Sequence, residues 1–121
     1  MEDQAPNQPA PRGDRDLSVP LATWLRTQGF TALERAQADF VTVAASWHSP
    51  RHDRFELDYT WQRTPAGHAE ATCRLRVCYA AEWDFTTLFT AQRVRRLSEA
   101  RLLLLGNVRY ANARTLALVS L

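Results

Sequence analysis

Two runs of alternating apolar and polar residues constrain the fold of this chain more than any other feature. From Phe55 to Trp61 every second residue is large and apolar, and the residues between them are polar. A second run with the same alternation extends from Thr72 to Tyr79. A period of two places alternate side chains on opposite faces of a strand. The sequence therefore predicts a β-hairpin with one apolar and one polar face.

The charges on these two runs define the register of the hairpin. A turn centred near Ala66 gives the polar pairs Asp58 with Arg74 and Glu56 with Arg76, and the apolar pairs Leu57 with Leu75 and Phe55 with Val77. Opposite charges then face each other and apolar residues face apolar residues, so both faces favour one register. We expect the charges to neutralise one another, and we therefore do not expect these arginines to bind a ligand.

Two helices are predicted before the hairpin. Ser18 can cap the first, and Gly29 is a suitable stop signal for it. The second begins with a capping box formed by Thr31 and Glu34, and its apolar residues recur with a helical period as far as Trp47. The β-branched residues within residues 40–47 leave a strand as the alternative for that part.

The C-terminal third predicts a further helix and a last strand. The helix starts near Thr90, or else it begins with Phe85, Leu88 and Phe89 and turns different faces to different neighbours. In both cases it ends at Gly106, which is followed by Asn107. Leu116 and Leu118 then alternate with smaller residues, which favours a terminal strand that joins the hairpin. The resulting order is α-α-β-β-α-β. We expect an α+β two-layer sandwich, with a small antiparallel sheet and its helices on one face.

The N-terminal segment differs from the rest of the chain in composition. Residues 1–17 are rich in proline, glutamine, asparagine and aspartate and almost free of large apolar side chains. Such a segment buries too little surface to offset its ordering entropy, so we predict a disordered tail. Residues 18–121 are predicted to form a single globular α+β domain, because the 121-residue chain is near the common size of one domain.

The sequence also bears on the compartment. No apolar run reaches the ~18 residues of a membrane span, and the N-terminus lacks the apolar core of a signal peptide. The chain has only two cysteines, Cys73 and Cys78, and their odd separation places them on opposite faces of a strand. We therefore expect no disulfide, no membrane association and a reducing, cytoplasmic location.

No motif in the sequence indicates catalysis. All 15 basic residues are arginine, so Schiff-base and lysine-dependent phosphate chemistry are excluded. There is no G-x-S-x-G elbow, and the four glycines are too dispersed for a phosphate-binding loop. A small enzyme with an unrecognised acid–base site is the third of three functional interpretations. We expect no enzymatic activity and no cofactor.

A zinc site is the one metal hypothesis that the sequence raises. His48 and His52 have H-x3-H spacing, and Cys73 and Cys78 supply thiols. The H-x3-H arrangement binds zinc when both histidines lie on one helix, but Pro50 stands between them. We therefore expect no metal.

An arginine-rich segment is the first candidate binding feature. It carries a local excess of three positive charges, although the net charge of the whole chain is only +2. Arginine suits phosphate groups through its bidentate geometry, so a nucleic-acid-binding helix is the alternative function. The residues of this candidate polyanion site are Arg93, Arg95, Arg96 and Arg101.

Four consecutive leucines are the second candidate feature. On a helix, four consecutive residues cover all sides, so some of them must face something other than one shallow sheet. Large exposed apolar patches usually mark interfaces. The leading hypothesis is a small non-enzymatic domain that binds a protein partner or a second copy of itself, with arginines at the rim. The predicted interface comprises Leu102, Leu103, Leu104, Leu105, Leu116 and Leu118.

Overall fold

The computed structural model describes residues 12–120, with the side chains of residues 13–109 and Ala111. The elements in chain order are β1 (Arg12–Gly13), α1 (Ser18–Thr27), β2 (Thr31–Gln37), β3 (Phe40–His48), β4 (Arg54–Arg63), β5 (His68–Cys78), β6 (Thr86–Gln92) and α2 (Leu97–Ser120). Strands β2 to β6 form an open antiparallel sheet in sequence order, and β1 pairs parallel to the start of β5. The α+β class is confirmed. The expected order α-α-β-β-α-β is wrong, because five strands run in succession between α1 and α2.

The central hairpin has the register that its sequence predicts. The pairs along β4 and β5 include Asp58 with Arg74, Glu56 with Arg76, Leu57 with Leu75 and Phe55 with Val77. All four apolar members of these pairs are buried. The turn between the strands is centred at Ala66, and Gly67 adopts a φ of 84°, which glycine tolerates without strain.

The predicted second helix is wrong, and a β-hairpin takes its place. Strands β2 and β3 are joined by Ala38 and Asp39, with Gln37 opposite Phe40. Val41, Val43 and Ala45 are buried while their neighbours are more exposed, so the strand alternative for residues 40–47 is confirmed. β-Branched residues at alternate positions pack well on a pleated surface, and here that preference outweighs the helical pattern.

The C-terminal region also differs from the expected arrangement. Residues around Thr90 pair with β5 as strand β6, and α2 begins later and passes through Gly106 without ending. The terminal strand predicted at Leu116 and Leu118 is wrong, because α2 continues to Ser120. The side chains of these two leucines lie outside the described part of the structure. A glycine inside a helix costs only about 0.5–1 kcal/mol relative to alanine, which packing on either side can offset.

Part of the segment expected to be disordered lies against the sheet. Gly13 pairs with Ala69, and a Cβ atom on Gly13 would clash with the carbonyl oxygen of Ala69. Asp14 and Leu17 are buried. The expected disorder therefore does not extend to residues 12–17. Residues 1–11 lie outside what the structure describes, so the expectation for them stays a prediction.

One hydrophobic core joins the sheet to both helices. The apolar face of β3, β4 and β5 packs with buried residues of each helix. The core residues contributed by the helices are Leu21, Ala22, Leu25, Ala100, Leu104 and Ala111. This arrangement leaves the outward side of α2 in solvent, which positions the candidate site.

Candidate interaction site

The four consecutive leucines of α2 divide between the core and solvent. Leu104 is only 1% exposed, whereas Leu102, Leu103 and Leu105 are 73%, 36% and 42% exposed. Successive helical residues are rotated by about 100°, so one of the four faces the sheet and the other three spread around the remaining sides. We call Leu102, Leu103 and Leu105 the leucine surface.

An apolar cleft adjoins the leucine surface. It has a volume of about 180 Å³ and lies between α2, the end of α1 and the adjacent ends of β2 and β3. We call it the aromatic cleft. Its lining residues are Gln28, Phe30, Trp47, Leu104, Leu105 and Val108. Because Leu105 belongs to both features, the leucine surface and the aromatic cleft are continuous.

A tight turn after α1 builds the aromatic wall of the cleft. Gly29 has a φ of 93°, and the amide of Phe30 donates a hydrogen bond to the carbonyl of Leu25 at 3.0 Å. This turn brings the ring of Phe30 to 5.9 Å from Trp47, which in turn lies 5.4 Å from Phe55 in the core. Aromatic pairs at these separations are favourable, so the wall is anchored on the sheet.

Positive charge borders this apolar region. Arg101 lies with its guanidinium 5.3 Å from the ring centre of Trp24, and Arg109 is exposed two turns further along α2. The sequence from residue 100 to residue 121 contains no acidic residue. The nearest carboxylate on α2, that of Glu99, accepts hydrogen bonds from the amides of Arg95 and Arg96 at 2.9 and 3.0 Å. Glu99 therefore caps the start of the helix, and the two hydrogen bonds lower the pKa of its carboxyl group.

The candidate polyanion residues do not form one basic helix. Arg93, Arg95 and Arg96 precede α2, and only Arg101 lies on it. The Nε atoms of Arg93 and Arg95 lie 3.3 and 3.5 Å from the carboxylate of Asp14. Two of the four charges are thus partly neutralised by an internal partner, which weakens the alternative of nucleic-acid binding.

The polar face of the central hairpin is occupied by internal ion pairs. Glu56 accepts from Arg76 and pairs with Arg54, both at 2.6 Å, and Asp58 accepts from Arg74 at 3.1 Å. These contacts agree with the expectation that the acidic and basic rungs match. The guanidinium of Arg76 also lies 4.6 Å from the ring centre of Phe85.

In the described part of the chain, the residues that could perform nucleophilic or metal chemistry are not brought together. Burial raises the pKa of the Cys73 thiol to about 12, so it is protonated and unreactive at neutral pH. Cys78 lies on the other face of β5, with its thiol 3.3 Å from the carbonyl of Glu82. Among the described residues, no three His, Cys, Asp or Glu side chains are grouped to hold a metal ion.

The sequence pattern indicates the leucines but not the cleft. Its wall residues come from two separate parts of the chain, Gln28 and Phe30 from the turn after α1 and Trp47 from the end of β3, and the helical pattern predicts a helix at Trp47. The one available signal was the alternation that ends at Trp47, which marks a strand end on the apolar face.

Within the described residues, neither helix combines the length and apolar character required to cross a bilayer. No protein-family model, no curated protein and no solved structure matches the chain.

Proposed function

We propose that this protein is a small non-enzymatic interaction domain, acting as an adaptor, an inhibitor or a complex subunit in a reducing compartment. Its partner contacts the leucine surface and the aromatic cleft on α2. The observation that carries the proposal is the exposure of Leu102, Leu103 and Leu105 on one helix beside an apolar cleft. Leu105 and Leu102 continue the apolar lining of the cleft, and an exposed apolar patch on a small domain is typical of a binding site for another protein.

The composition of this surface supports a protein partner. Interfaces are enriched in aromatic residues and arginine at their energetically dominant positions. Here Phe30 and Trp47 form a wall, and Arg101 and Arg109 lie at the edge. Each square ångström of apolar surface removed from water contributes about 25 cal/mol, so covering the leucines favours association.

Affinity purification from the source cell tests the proposal. Leu102→Glu and Leu105→Glu should each remove a partner that the unchanged protein retains, because a charge in a desolvated contact is costly. Leu33→Glu is the matched control, since Leu33 is also an exposed leucine but lies on strand β2. Circular dichroism would check that all three variants fold.

The proposal is supported if one identified protein is lost with both α2 variants and retained with the β2 variant. It is overturned if the same proteins are recovered with all variants, or if none is specific to the unchanged protein.

A further inference from the structure

We infer that the surface of α2 receives an acidic amphipathic helix, which inserts one apolar side chain into the aromatic cleft. This inference rests on the proposed function and specifies the chemistry of the partner. It follows from the size of the cleft, the spacing of the leucines and the distribution of charge around them.

The size of the cleft selects a side chain as its occupant. Small-molecule sites usually have volumes of roughly 300–1,000 Å³, and the aromatic cleft has about 180 Å³. Its lining is apolar apart from Gln28. A single leucine or aromatic side chain of a partner fits this description, because it needs burial but few polar contacts.

The spacing of the leucines selects an elongated partner. Leu102 and Leu105 are three residues apart, so they lie about 60° apart around the helix and one turn apart along it. Leu105 is also a wall of the aromatic cleft. An apolar path therefore leads from the cleft over Leu105 to Leu102. A helix with apolar residues at positions i, i+3 or i+4, and i+7 presents a matching row of side chains.

The charge around this path selects an acidic partner. Arg101 and Arg109 lie four residues before and four residues after Leu105, and both are exposed. The carboxylate of Glu99 is held at the start of α2 by the amides of Arg95 and Arg96. Carboxylates that flank the apolar row of a partner would meet these guanidinium groups, which bind carboxylates with bidentate geometry.

The same arginines disfavour a second copy of this chain. An antiparallel pairing of two α2 helices centred on Leu105 places Arg101 of one copy beside Arg109 of the other. A parallel pairing places each arginine beside its equivalent. Like charges in such positions are destabilising.

Two synthetic peptides test the inference directly. Each has about 20 residues, with leucines at a helical i, i+3, i+7 spacing; one has glutamate at the flanking positions and the other has lysine. Each peptide has a fluorescent label, and its binding to the protein is measured by fluorescence anisotropy at low and high salt. The acidic peptide should bind at least about tenfold more tightly than the basic one, and this preference should shrink as salt screens the charges.

Charge reversal on the protein supplies the matched variants. In the double variant Arg101→Glu with Arg109→Glu the preference should invert, so that the lysine peptide binds more tightly. Arg35→Glu is the control, because Arg35 is exposed on β2. Leu105→Glu should weaken the binding of the acidic peptide by more than about tenfold, although both arginines remain in place. Circular dichroism checks each fold, since Arg101 also lies over Trp24.

Equal binding of the two peptides, or a preference that the double reversal leaves unchanged, would overturn the inference. Light scattering that shows a dimer lost with Leu105→Glu would also overturn it, because the occupant would be a second copy. If neither peptide binds but a cellular partner is still lost with Leu102→Glu, the acidic helix is excluded while the proposed function stands. If that partner is unaffected as well, both fail.

Discussion

Asp14 carries a carboxylate that water does not reach, within a segment whose composition predicts disorder. Its side chain is 0% exposed, and one oxygen accepts a hydrogen bond from the amide of Ala71 at 2.9 Å. Arg93 and Arg95 pair with the same carboxylate. The carbonyl of Asp14 accepts from the indole of Trp61, so the residue joins the N-terminal segment to three other parts of the chain. We expect Asp14→Ala to be strongly destabilising.

The magnitude follows from what the substitution leaves behind. The buried amide of Ala71 would lose its acceptor, and an unsatisfied buried donor costs about 1–3 kcal/mol. The side chains of Arg93 and Arg95 are 41% and 65% exposed, so water can solvate them when the carboxylate is gone. Loss of these ion pairs therefore adds at most about 1 kcal/mol. The free energy of unfolding should fall by about 1–4 kcal/mol.

Urea unfolding followed by circular dichroism measures this change through the midpoint, with an unchanged slope as the check on two-state behaviour. Asp14→Asn keeps an oxygen for Ala71 and loses only the charge, so we expect a smaller decrease of about 1 kcal/mol. Asp58→Ala is the control, because Asp58 pairs with Arg74 on an exposed face, and it should cost less than about 1 kcal/mol. Equal costs for Asp14→Ala and Asp58→Ala would refute the reasoning.

Two further predictions concern the buried titratable groups. A thiol reagent at pH 8 should label Cys78 alone in the native protein and both cysteines in urea, because burial raises the pKa of Cys73 to about 12; fast labelling of Cys73 in the native state would contradict this. Burial also raises the pKa of Tyr59. As the pH rises, the unfolded state therefore loses the protons of Cys73 and Tyr59 at a lower pH than the folded state does. The free energy of unfolding should consequently fall as the pH rises above about 9. Urea titrations between pH 8 and pH 11 test this, and Cys73→Ala should show a shallower decrease; a flat profile for the unchanged protein would refute it.

The central hairpin could be predicted because two independent constraints agree there. A shift by one residue would move Leu57 and Leu75 to the polar face, and a shift by two would separate Asp58 from Arg74. The structure satisfies both constraints at once. Patterning of this kind is local, so a single sequence contains all the information needed.

Strands β2 and β3 could not be predicted in the same way, because their residues fit two periods. Thr31 and Glu34 have the spacing of a capping box, but each has a different partner in the structure. The hydroxyl of Thr31 lies 3.0 Å from that of Ser46, and Glu34 accepts from Arg26 at 3.2 Å. The first contact depends on the pairing of β2 with β3, and the second depends on the position of α1 beside β2, so no local pattern in the sequence shows either of them.

The helix end predicted at Gly106 also could not be judged from the sequence, because α2 continues through this residue. Gly106 and Asn107 together are typical of a helix end, yet the side-chain amide of Asn107 donates to the carbonyl of Leu103 one turn earlier. Leu104 and Ala111 are buried on either side of the glycine, so packing continues across it.

The interaction of Arg93 with Asp14 spans 79 residues, and no local pattern indicates it.

The exposure of the leucine surface follows from how α2 packs and not from a loose fit. Among the α2 side chains that the structure describes, the fully buried ones are Ala100, Leu104 and Ala111, and two of these are small. Small side chains bring a helix close to a sheet and make its contact stripe narrow. Rotating α2 to bury Leu102 would turn Leu104 into solvent and separate Arg101 from Trp24. Because that rotation would give up the burial of Leu104 and the contact of Arg101 with Trp24, a partner can cover the leucine surface with the core arranged as it is.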